Sequence, residues 1–146
     1  MKLELDQSDV GGIGGTLAGN VLSIAAMRAT LEHILIPAMF DRCEKLADRY
    51  EAGIEEAIKM FDLPWSVTRL GFRVEYCFRQ TPPRNGGEAK GAVDSELDRY
   101  MHLWALIRGT LMTPFHNVAL IAADTSEADV DHHTRTFRDA LQALIG

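Results

Sequence analysis

Residues 66–80 read SVTRLGFRVEYCFRQ. Val74, Tyr76 and Phe78 alternate with Glu75, Cys77 and Arg79, the two-residue period of a strand with one apolar face. Gly71 interrupts the run, so the stretch predicts two short strands or one kinked strand. The residues before it follow a different period. Between Pro37 and Phe61, Phe40, Cys43, Leu46/Ala47, Tyr50, Ile54 and Ala57/Ile58 recur at helical spacing with charges between them, which predicts a long amphipathic helix. Val21, Ile24, Ala25, Leu31 and Ile34/Leu35 predict another helix starting at Asn20.

Downstream, TPPRNGGEAKGAVDS (81–95) carries two prolines and three glycines and predicts a surface loop. Ser95 with Asp98 has the spacing of a capping box, opening a helix faced by Leu97, Tyr100/Met101, Trp104 and Ile107 and ending at Gly109. LMTPFHNVALIAAD (111–124) returns to extended structure interrupted by Pro114. Ser126 with Asp129 then opens a last helix faced by Val130, His133, Phe137, Leu141 and Leu144. Few strands separated by helices predict an α+β fold: a small, mostly antiparallel sheet with helices on one face.

The length of 146 residues suits one domain with a real core, and no apolar run is long enough to span a bilayer. The start, MKLELDQSDV, lacks the pattern of a secretion signal, so a cytoplasmic location is the expectation. A net charge of -6 with scattered arginines argues against a nucleic-acid partner, which needs a concentrated basic surface. Cys43 and Cys77 have neither metal nor disulfide spacing and read as reduced structural thiols.

The chemistry-bearing motifs are few. The five histidines include no pair at metal-ligand spacing on one helix, and no serine or cysteine sits in a nucleophile context. In the DHHT run, His132 is expected in solvent and His133 against the edge of the core. The charges on the long helix read as a solvated face with pairs four residues apart. His116 follows Thr113-Pro114-Phe115 in an apolar stretch, where proline can turn a polar side chain toward a cleft. Arg69 and Arg73 flank Gly71, and strand arginines can clamp carboxylates; surface placement is the simpler account of either. GGIGGTLAGN (11–20) puts five glycines and a threonine ahead of a helix, a chemistry suited to an anion, yet it fits neither the dinucleotide fingerprint nor a Walker loop.

The order of several segments carries more than any one of them. GIGGTLAGNVLSIAAMRATLEHI, LADRYEAGIEEAI, RLGFRVEYCF and RGTLMTPFHNVALIAADTSEADVDHHTRTFRDAL together resemble the C-terminal part of a class III PLP-dependent aminotransferase of the glutamate-1-semialdehyde aminomutase type. The resemblance runs from about Asp9 onward. It implies that residues 1–20 lead from a large domain and that 21–146 form the small C-terminal domain. It also implies that Gly15 and Thr16 contact the phosphate of pyridoxal 5'-phosphate across a dimer interface. Partners implied are a homo-oligomer or a large domain, with a small-molecule amino donor and acceptor.

The departures from the family are equally informative. The Schiff-base lysine, the acidic partner of the pyridine nitrogen and the stacking aromatic belong upstream of the G-T segment in that family. None of Lys2, Lys45, Lys59 and Lys90 lies in such a context, so no catalytic residue is assigned and the chain alone is expected not to transaminate. Thr113 stands before Pro114 where α-amino-acid enzymes commonly carry arginine. The implied substrate is therefore a β- or γ-amino carboxylate or an amino aldehyde, with Arg73 and His116 as candidate contacts. A non-catalytic association module built on the same fold is the alternative.

Overall fold

The computed structural model describes residues 19–113 and 116–146. The chain divides into two units, 1–40 and 41–146. In the first, α1 (Val21–His33) is capped by Asn20, whose side-chain oxygen accepts from the N–H groups of Leu22 and Ser23. None of its residues is buried, so the helix expected here is present while the apolar face expected of it meets no core.

Helix α2 (Pro37–Met60) begins with proline at its first position, where the missing N–H is harmless, and runs into the second unit. Its buried residues Cys43, Leu46, Ala47, Tyr50, Ile54, Ala57 and Ile58 follow the expected stripe, whereas Phe40 lies exposed. Strands β1 (Ser66–Leu70) and β2 (Arg73–Cys77) pair antiparallel with Leu70 opposite Arg73, so Gly71 and Phe72 alone make the turn. Gly71 has φ +58°, the positive value that the first central residue of a tight hairpin turn requires and glycine supplies without strain. A five-residue helix, α3 (Gly86–Lys90), stands where the sequence suggested only loop.

Helix α4 (Ser95–Leu106) corrects the expected capping box. Its N-cap is Asp94, whose carboxylate accepts from the N–H groups of Glu96 and Leu97, leaving Asp98 free for another partner. The 111–124 stretch yields one three-residue strand, β3 (Val118–Leu120), antiparallel to β2. The sheet order is β1-β2-β3, confirming a small antiparallel sheet within an α+β fold. Helix α5 (Glu127–Ile145) opens with the expected Ser126–Asp129 capping box and buries Val130, His133, Phe137 and Leu141; Leu144 is exposed instead.

The core lies between the inner face of the sheet and the helices. Val74 and Tyr76 of β2 point inward, and Phe137 of α5 meets Tyr76 edge-on at 5.0 Å between ring centroids. Trp65 packs edge-on against Phe78 at 4.6 Å. The charges of α2 pair between elements rather than along the helix: Arg49 grips Asp131 of α5 through two bonds of 2.6 and 2.8 Å, and Arg138 reaches Glu56. Arg69 of β1 reaches Glu44, Asp48 and Glu51 on α2, and the hydrogen bond to Asp48, ahead of the pull of the other carboxylates, holds its guanidinium firmly protonated.

Where α2 meets α5, the Thr134 side chain fills the space beside Gly53. A Cβ placed on Gly53 would lie 2.7 Å from the Cγ2 and Oγ1 atoms of Thr134. Gly53→Ala is expected to destabilise the protein by about 1–3 kcal/mol, against the roughly 1 kcal/mol gain of the same change in an exposed helix. Urea unfolding of Gly53→Ala alone and with Thr134→Ala tests this, because the second change should restore most of the loss.

Deeper in the same seam, His133 Nε2 lies 3.2 Å from the Tyr50 hydroxyl, and burial lowers the imidazole from 6.5 to about 4. Neutral in the fold, His133 takes a proton on unfolding below pH 6.5. Its contribution is thus intact above 6.5 and is lost as the pH falls toward 4, by about 3 kcal/mol in all. Chemical unfolding between pH 7 and 4 should show this slope, and His133→Leu should abolish it.

Candidate functional site

Strand alternation turns Thr68, Glu75 and Cys77 to the face of the sheet opposite the core. Residues 81–94 fold over that face as an arm. The arm is organised by polar contacts. Asn85 caps α3, accepting from the Glu88 N–H at 3.0 Å, and the Glu88 carboxylate accepts from the Arg84 N–H at 2.9 Å and from Asn85 Nδ2 at 3.0 Å. Arg79, just past β2, donates to the Gly91 carbonyl and ties the arm to the sheet.

Between arm and sheet lies a cleft of ≈ 390 Å³, walled by Phe78, Pro83 and Val93 and carrying Glu75, Cys77, Asp98, Lys90, His116 and Asn117. Two polar links organise its far side. Asn117 Nδ2 donates to Asp98 Oδ1 at 2.8 Å, while Glu75 pairs with Arg73 at 3.2 Å and stands 3.9 Å from His116 Nδ1. The Cys77 thiol is raised chiefly by burial; a backbone hydrogen bond from Arg79 and the charge of its guanidinium oppose the shift, and the weaker fields of Glu75 and Asp98 add to it.

The candidate residues fare differently. Arg73 and His116 come together through Glu75, both more than half exposed. Gly15 and Thr16 lie outside the described residues. Asp98 reads from sequence only as part of a helix cap, and nothing local links it to Asn117, nineteen positions on.

Lys45, Lys59 and Lys90 are all exposed, two on α2 and one closing α3, whereas a Schiff-base lysine needs a sheltered amine with a phosphate cradle and a pyridine partner in reach. The segment that the resemblance assigns to the phosphate is the one not described.

Comparison with known proteins sets this geometry in context. No family model matches the chain. The glutamate-1-semialdehyde 2,1-aminomutase 2 of Brevibacillus brevis is 31% identical over 134 residues, covering 89% of this chain and 30% of the relative. A crystal structure of a glutamate-1-semialdehyde-aminomutase from Pseudomonas aeruginosa PAO1 in complex with PMP superposes with a TM-score of 0.87 at 45% identity, over 94% of this chain and 30% of that one. An omega-transaminase from Sphaerobacter thermophilus superposes with a TM-score of 0.76 at 26% identity over 91% of this chain. The chain belongs to the class III PLP-dependent aminotransferases. Within them it corresponds to the C-terminal portion of the glutamate-1-semialdehyde aminomutase type, and it spans about 30% of the length of the relatives it matches.

Solvent access to the cleft can be read from the two thiols. Cys77 lines it, whereas Cys43 is fully buried against the Ala122 carbonyl. Iodoacetamide at pH 8 should alkylate Cys77 well ahead of Cys43, yet several times more slowly than free cysteine because the thiolate is disfavoured. Mass spectrometry of time-quenched samples gives both rates.

Proposed function

We propose that the chain supplies the small domain of a PLP-dependent aminotransferase or aminomutase that moves an amino group on a small amino carboxylate or amino aldehyde. Reaction requires a large domain carrying the Schiff-base lysine, and the chain alone is inactive. The observation that carries this reading is the likeness to the Pseudomonas aeruginosa aminomutase at 45% identity over 94% of the chain. The exposed lysines support the division of labour, since each lacks the shelter that the catalytic amine needs.

In the complete enzyme, PLP supplies the electron sink for amino transfer. The part of this chain is to bind and orient. By the family resemblance, the Thr16 hydroxyl and the Gly15 N–H would hold the cofactor phosphate across a dimer interface, as suits hydroxyl and amide donors toward an anion. Arg73 and His116 present donors on the outer side of the sheet and share Glu75, which fits them to a polar substrate. The side chains of Val21, Leu22, Met27 and Leu31 on α1 are more than half exposed, which supports a covering partner, whether the large domain or, in a non-catalytic reading, another chain.

The test is to mix the purified chain with PLP, reduce with borohydride and map pyridoxyl-lysine by peptide mass. Weak labelling spread over several lysines is expected. Stoichiometric labelling of a single lysine would overturn the proposal, because a Schiff-base site would then lie within these residues.

A further inference from the structure

We propose that the 81–94 arm is a lid on the outer face of the sheet, swinging as one piece between a closed position latched by Arg79 and an open one that admits solutes to Cys77 and Glu75. The inference stands on how the arm is built and fastened, and it is independent of the aminotransferase reading.

The arm is fastened to itself more firmly than to its support. Asn85 caps α3, and the Glu88 carboxylate accepts from the Arg84 N–H and from Asn85 Nδ2. The N–H groups of Ala89, Gly91 and Ala92 donate to the carbonyls of Asn85, Gly87 and Ala89. These bonds make 84–92 a unit that keeps all of them when it moves. Across the cleft, the bond from Arg79 to the Gly91 carbonyl is the one hydrogen bond among the described residues that joins this unit to the strand side. Charge gives the latch a second hold: the Glu88 carboxyl is held low chiefly by Arg84, and the Arg79 guanidinium adds to the same shift.

Apolar burial contributes little to closure. No residue of 81–94 is buried, and Val93, a wall of the cleft, stays 61% exposed. The elements on either side are anchored instead: β2 buries Val74 and Tyr76, and α4 buries Met101 and Ala105. A segment with few buried contacts opens far below the cost of global unfolding, and the elements that control access to sites are drawn from such segments. The ends of the arm set the hinges. Gln80 and Thr81 are exposed where it leaves the sheet, and Asp94, as the cap of α4, belongs to the fixed frame, so the far hinge falls at Val93.

The test is Arg79→Ala in the full chain, a change at an exposed position that removes no core contact. Cys77 reports on the cleft through two maleimides of different size, mapped by peptide mass. Their ratio cancels the thiolate fraction, and with it the effect of the Arg79 charge on the thiol. The rate for fluorescein maleimide relative to N-ethylmaleimide should rise about three- to tenfold in Arg79→Ala, the worth of one hydrogen bond. Thermal unfolding and the hydrogen exchange of the Ala89, Gly91 and Ala92 amides should not change. An unchanged or falling ratio would overturn the lid. Faster exchange of those three amides in step with the labelling would overturn it too, because the arm would then unravel and not swing. No cofactor or large domain enters these measurements, so their failure is separate from failure of the aminotransferase reading.

Discussion

The two-residue period of β2 is the constraint on which both halves of the structure depend. It is the middle strand, and each step along it changes face. Val74 and Tyr76 go inward, Tyr76 to meet Phe137 of α5, so Glu75 and Cys77 must go outward, where the arm turns that face into a cleft. A slip of one residue would bury Glu75 and expose Tyr76. The Gly71-Phe72 turn resists such a slip because it admits only the pairing of Leu70 with Arg73. Core and cleft are therefore two readings of one register.

Much of the fold is legible because it rests on local periodicity. The stripe of α2 and the capping box of α5 are written in residues three and four apart, and a neighbour at that range is always present. What escapes the sequence depends on competition or distance. Ser95 and Asp98 have the spacing of a cap, but Asp94 stands one residue earlier with a carboxylate that accepts two N–H groups. Asp98 is thereby released to Asn117, a partnership no local rule reveals. The double glycine at 86–87 argues against helix, yet Asn85 and the network on Glu88 stabilise five residues of one. For α1 the difficulty is different: apolar side chains occur on several sides, so helicity is readable and the buried face is not.

The candidate site shows the same division. His116 and Arg73 were visible as unusual residue types near breaks in extended structure, and the fold unites them through Glu75. The family, in contrast, was visible in the order of segments, since relatives 31–45% identical preserve that order across nearly the whole chain. Order says less about substrate. The side chains that line the cleft sit on the arm, the sheet and the start of α4, and they become neighbours only after folding.

The two arginines beside Gly71 make the point in its sharpest form. From sequence they are equivalent, each a possible carboxylate clamp four residues from the other. The register separates them. Arg69 lies opposite Val74 and so shares the inward face, where it meets the row of Glu44, Asp48 and Glu51 presented at helical spacing by α2. With its side chain only 15% exposed and three carboxylates in reach, Arg69 fastens the hairpin to the helix and has no donor pattern left open to a ligand. Arg73, adjacent to Val74, takes the outward face with Glu75 and keeps half its side chain in water. One arginine becomes structure and the other stays available for recognition, by the parity of their positions on two paired strands.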